Sequence, residues 1–214
     1  MAAHGTQTRP MRRDAARNHQ LVVQAAREVL AEFGTDASVE LIASRAGVGV
    51  GTVYRRFPNK EALVDEIAAQ ILVELVAEAR QARDRADGTG LESFLRTIGR
   101  SLSEHHGYAD KLVGHSKTSC IEQLRDLIAE LLVQAQEFGR IGPHVTLGDI
   151  MTLAWALRGV VETSSDVVPD AWQRHLDIQL AGFRSAEPPS AYPAVSREQL
   201  TRIDGGNRRS KGSS

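Results

Sequence analysis

One cysteine, five phenylalanines, three tyrosines and two tryptophans are all the thiol and aromatic chemistry that 214 residues contain. Cys120 has no second thiol to pair with, which excludes an internal disulfide and suits a reducing compartment. With aromatics at 5% and hydrophobic residues at 42%, a core has to be built from aliphatic side chains and alanine. Such a composition favours helix on helix over a sheet sandwich. No apolar run approaches the ~20 residues of a membrane span. The N-terminal MAAHGTQTRPMRR has no hydrophobic stretch behind its basic residues, so no secretory signal is expected and the chain is assigned to the cytoplasm. Nucleophile elbow, phosphate-cradling glycine loop and His-Glu metal motif are all missing, which leaves catalysis no foothold. His105 and His106 are adjacent, so on a helix they diverge by about a hundred degrees. Neither has a cysteine or carboxylate at ligand spacing; no metal and no cofactor is expected.

Net charge is also small, -1 overall, but its distribution is uneven. Residues 1–60 hold nine Arg or Lys against five Asp or Glu, a net of +4, so the remaining chain carries -5. A basic end on an acidic body is what a protein needs when only that end meets phosphate.

The stretch Val39 to Lys60, VELIASRAGVGVGTVYRRFPNK, organises the basic end. Ile42, Ala43 and Ala46 share one face of a short helix, which Gly47 closes, and Val48 can plug the angle to a second helix at about Val50 to Arg56. That second helix turns Val53 inward and leaves Thr52, Tyr54, Arg55 and Arg56 for another task. This is the build of a helix-turn-helix, whose second helix enters the DNA major groove. Ser38 is the expected N-cap of the first helix, and Pro58 and Asn59 stop the second and start the next.

Ile42-Ala43, Arg45, Ala46-Gly47-Val48, Gly51-Thr52-Val53-Tyr54, Phe57 and Lys60-Glu61-Ala62-Leu63 resemble the tetracycline-repressor (TetR) family of bacterial regulators, over roughly the first third of the chain. The resemblance implies a DNA-binding transcriptional regulator, a repressor released from its operator by a small-molecule effector in the C-terminal domain. It marks Lys60, Arg45, Tyr54 and Ser38 for phosphate, and Val50, Gly51, Thr52 and Arg55 for base edges. Gly49 stands where the family has a capping Ser or Thr, and Val50 where polar residues are common, which points to apolar contact such as a thymine methyl. The family's pocket lies between the long helix and those after it. Phe94, Ile98, Leu102, His105, Cys120, Leu124, Met151, Trp155 and Arg158 are the side chains available to line it here. Arg158, in an otherwise apolar helix, either pairs with a carboxylate such as Glu162 or Asp126 or awaits an anionic effector. The rival reading is a helical small-molecule carrier or enzyme that keeps the hairpin only as scaffold.

An all-α protein is expected, with a three-helix DNA-binding domain and a larger helical ligand-binding and dimerisation domain. The divisions are a flexible basic arm at 1–12, the helix-turn-helix domain at 13–58, the regulatory domain at 59–184, and a disordered tail at 185–214. Within them the spacing predicts helices over Asp14 to Phe33, Lys60 to about Asp87, Leu91 to Leu102, Ser119 to Gly139, Leu147 to Val161 and Asp170 to Arg184, with a short one at Tyr108 to Val113. The helix at 147–161 is apolar nearly all round. With 170–184 it is expected to form a four-helix homodimer interface, Ala154 and Gly159 allowing close approach, for a palindromic double-stranded operator.

Overall fold

A computed structural model of the chain describes residues 9–85, 87–106, 118–185 and 190–210. The described residues form nine α-helices and no strands. In order they are α1 (Arg9–Phe33), α2 (Val39–Ala46), α3 (Val50–Arg56), α4 (Lys60–Arg83), α5 (Gly90–Glu104), α6 (Thr118–Glu137), α7 (Leu147–Ser164), α8 (Ala171–Phe183) and α9 (Arg197–Ser210), with a 3-10 turn at Gly34–Asp36 between α1 and α2. No described helix is long and apolar enough to cross a membrane. The short helix expected at Tyr108 to Val113 lies outside the described residues.

Local chemistry sets the helix ends. Ser38 Oγ accepts from the Leu41 amide at 3.2 Å and Asn59 Oδ1 from the Ala62 amide at 2.8 Å, each satisfying one of the free donors of a first turn. Gly47 closes α2 at φ 67°, the left-handed region that a side chain resists. Thr146 and Asp149 form a reciprocal capping box at the head of α7.

Two apolar cores result, and α4 belongs to both. Val22, Ala26, Val29 and Leu30 of α1 pack with Ile42, Ala43, Val53 and Phe57 and with Leu63, Val64, Ile67 and Ile71 of α4. Farther along α4, Val76, Ala79 and Ala82 join α5 to α8, where Phe94, Leu95, Leu131, Leu157, Trp172 and Leu176 are buried. The first core therefore crosses the boundary expected at residues 58 and 59. Helix α5 lies centrally in the second unit, touching α4, α6, α7 and α8. Gly99 on α5 permits this, since a β-carbon there would overlap the Trp172 ring of α8.

Two differences from the sequence expectations concern the ends. Helix α1 begins at Arg9, so Arg9 and Arg12 are helical and not part of a loose arm. The tail expected to be disordered contains α9. Its Leu200 is fully buried, and Arg197 forms an ion pair with Asp126 on α6. Ser196 and Gln199 cap it reciprocally, the Ser196 amide donating to Gln199 Oε1 at 2.8 Å and the Gln199 amide to Ser196 Oγ at 3.2 Å. One anchoring leucine gives no periodicity to read; the overlooked signal is the Ser-Arg-Glu-Gln spacing at 196–199, a capping-box signature.

Candidate functional site

The outer surface of the basic end is assembled by α2 and α3. Val53 is the one fully buried residue of α3, with Phe57 closing the helix behind it. Tyr54, at 47% exposure, and Arg55 and Arg56 face solvent. Arg55 folds back along its own helix, donating to the Gly51 carbonyl at 3.3 Å and to Thr52 Oγ1 at 3.1 Å. These two candidate base readers are hydrogen-bonded to each other. Gly49 occupies the N-cap of α3 without a side-chain hydrogen bond, as its identity dictates. Gly51 is exposed, whereas Val50 is half-buried against the N-terminal core, which ties part of the side chain expected on a thymine methyl to packing.

Two cations expected on phosphate carry structural bonds. Arg45 pairs with Glu32 of α1 at 3.0 Å. Lys60 Nζ donates to the Thr35 carbonyl and, at 3.1 Å, to that of Ala37. Both carbonyls sit in the α1–α2 connection, so Lys60 ties the head of α4 to the loop that launches α2. An ammonium has three donors, and these bonds use two.

Sequence reading missed what orients α3. His19 of α1 stacks on Phe57 with ring centroids 5.4 Å apart. Arg56 Nε donates to His19 Nδ1 at 3.2 Å, which puts the ring proton on Nε2, facing Glu66 Oε1 of α4 at 3.3 Å. The C-terminal end of α3 is thus bonded through one imidazole to α1 and α4. No local pattern announces a contact between residues 37 and 47 positions apart.

Above the N-terminal core lies a cleft between α1, α4 and α5. Arg27 of α1 grips Glu74 of α4 with two hydrogen bonds, 2.9 and 2.7 Å. That hydrogen bond is the main reason the Glu74 carboxyl is held below the usual carboxylate range. His105, at the end of α5, lines the same cleft and donates Nδ1–H to the Ser101 carbonyl at 2.6 Å. Burial pushes its pKa below the ordinary imidazole value, only partly offset by that bond.

A separate cavity of about 160 Å³ opens between α4, α5, α6 and α7. Six of the nine residues expected at a ligand site line it: Ile98, Leu102, Leu124, Met151, Trp155 and Arg158. Phe94 is instead fully buried core, one turn before the α5 residues that reach the cavity. His105 belongs to the neighbouring cleft, and Cys120, half-buried at the start of α6, does not line the cavity. The largest omission is the α4 wall of Ala68, Ile71, Leu72 and Leu75, which reads in sequence as ordinary core stripe. Arg158 pairs through Nε with Glu162 Oε1 at 3.1 Å, one helical turn on. Ile71, Leu75 and Ser101 are shared by cavity and cleft, so the two spaces lie back to back.

On the far side, Ala156, Gly159 and Thr163 of α7 and Ile178, Ala181 and Gly182 of α8 are exposed, Ile178 at 56%. Ala154, expected on this face, lines the cavity instead; Ala156 takes its place beside Gly159.

Comparison with known proteins places both units. The family model described as bacterial regulatory proteins, tetR family, matches residues 22–67. A second, described as the C-terminal domain of SbtR-like transcriptional regulators, matches residues 86–185. The fold is similar to that of a TetR transcription regulatory protein from Mycobacterium vanbaalenii, with 31% identity, a TM-score of 0.61, and coverage of 82% of this chain and 100% of that one. It is also similar to the TetR transcriptional regulator SCO0520 from Streptomyces coelicolor, at 26% identity, a TM-score of 0.60, and coverage of 79% and 99%. Among curated proteins, the uncharacterized HTH-type transcriptional regulator YhgD of Bacillus subtilis is 39% identical over 66 residues, 30% of this chain. The chain spans 35% of the length of that relative and 40% of a Staphylococcus aureus HTH-type regulator that it also matches.

Proposed function

Because the chain belongs to the TetR family of bacterial transcriptional regulators, we propose that it is a dimeric repressor. Two copies of α3 hold a palindromic operator, and they let go when a small molecule occupies the cavity between α4, α5, α6 and α7. The observation that carries this reading is the position of α4. Its Ile71 and Leu75 line the cavity and also pack against the core beneath the helix-turn-helix. Its first residue, Lys60, holds the loop that starts α2. A ligand that displaces the α4 wall therefore acts on the same helix that sets the pose of α2 and α3.

The effector works by population shift. It favours a state in which the two recognition helices no longer match successive major grooves ~34 to 36 Å apart. Dimerisation uses the exposed small-residue face of α7 and α8, where Gly159 and Gly182 leave open space for a partner helix. A repressor of this kind acts where the chromosome is, in the cytoplasm. Membership of a family of regulators disfavours the carrier or enzyme reading.

A gel-shift titration with DNA from upstream of the protein's own gene tests the assignment. Tyr54→Phe and Arg45→Ala are expected to weaken binding to every DNA sequence alike, Arg45→Ala lowering the salt slope by about one. Unchanged affinity in the double variant would remove both residues from the interface.

A further inference from the structure

Resting on the reading of the α4–α7 cavity as the effector site, we propose that its ligand is a monocarboxylate with a small apolar body, a ring or a short chain, whose carboxylate is bound by Arg158. Among the described residues, Ser101 and Arg158 are the polar side chains in a wall otherwise made of aliphatic residues, Met151 and Trp155. A wall of that kind rejects multiply charged molecules, because each charge without a partner there loses its hydration with nothing to replace it. A purely apolar molecule would leave the guanidinium unused.

Arg158 suits one carboxylate. It borders the cavity whereas its partner Glu162 does not, and the side chain is about one-third exposed, at 32%. Glu162 engages Nε. A guanidinium carries five donors, so the edge formed by its terminal nitrogens can take a carboxylate bidentately. Glu162 then limits affinity by drawing on the same charge, and it also keeps the arginine compensated while the site is empty. At about 160 Å³ the cavity is close to the ~150 Å³ apolar cavity that accepts benzene. The apolar body therefore has about five to eight carbon atoms, with the carboxylate at the Arg158 rim.

Isothermal titration calorimetry on the full-length protein decides this, using benzoate and hexanoate against the matched neutral probes benzyl alcohol and 1-hexanol. The acids are expected to bind about tenfold or more tighter than the alcohols. Arg158→Gln brings the acids down to the alcohols' level without changing the alcohols, whose binding also reports that the variant is folded. Glu162→Gln tightens the acids a few-fold by removing the competing carboxylate. Acids no tighter than alcohols, or acid affinity indifferent to Arg158→Gln, overturns the carboxylate class while leaving the cavity reading intact. If Arg158→Gln binds neither class, Glu162→Gln decides, and acid affinity unchanged or weakened there overturns the proposal. If none of the four probes binds the unsubstituted protein, the proposal falls, and the cavity reading stands or falls separately on whether a ligand of any other class that binds the protein also dissociates the operator complex.

Discussion

At the scale of single residues, side-chain bonds of titratable groups join or close the helices around one cleft. Glu74 and His105 share the cleft between the two cores, and both have pKa values below their ordinary positions, Glu74 through the Arg27 hydrogen bond and His105 through burial. For each, the unfolded chain binds a proton more readily than the folded one, so the stabilisation is full above the unfolded pKa and is lost as pH falls through the folded one. Acidification from pH 7.5 should first cost stability below about 6.5, as His105 becomes protonated more easily in the unfolded chain, and again below about 4.5 from Glu74. The measurement is thermal unfolding across that range, where His105→Gln is expected to flatten the upper step and leave the lower one. Gly99→Ala tests packing at the same scale. The added methyl meets the Trp172 ring, with an expected loss of about 1 to 3 kcal/mol in denaturant unfolding.

At the scale of elements, the question is how α3 is held and how much of that could be read in advance. Ser38, Gly47 and Asn59 were legible because capping is local, and a capping residue lies within three positions of the amide it serves. Val53 was legible as the inward face of a short amphipathic helix. His19, Arg27 and Lys60 in their observed roles were not, because their partners lie 23 to 47 residues away and one stripe of polar residues looks like any other. For the same reason six cavity residues were anticipated and the α4 wall was not: both are aliphatic stripes, and only the packing of α6 and α7 separates wall from core. Lys60→Met should therefore act on structure as well as on DNA. It leaves the Thr35 and Ala37 carbonyls without their shared donor, and a loss of about 1 to 3 kcal/mol is expected in equilibrium unfolding. Gly49→Ser should do the opposite. It supplies the missing cap of α3, and a gain of a few tenths of a kcal/mol, the usual margin of a serine over a glycine cap, should appear in the same assay.

At the scale of the whole molecule, the arrangement is a basic reading head and an acidic body joined through one helix that belongs to both cores. The face of Ala156, Gly159, Ile178 and Gly182 suits a second copy, and light scattering should report a dimer at micromolar concentration; a monomer at every concentration would contradict that part of the account. The central claim is that α3 reads a specific sequence. Its most direct test is fluorescence anisotropy of the full-length protein against the DNA upstream of its gene and a scrambled duplex of equal length, each titrated between 50 and 200 mM salt. The account predicts binding to the upstream DNA about 10³-fold or more tighter than to the scrambled duplex, with both affinities falling linearly in log salt and Arg55→Ala reducing the ratio. Equal affinity for the two duplexes at every salt concentration would contradict it.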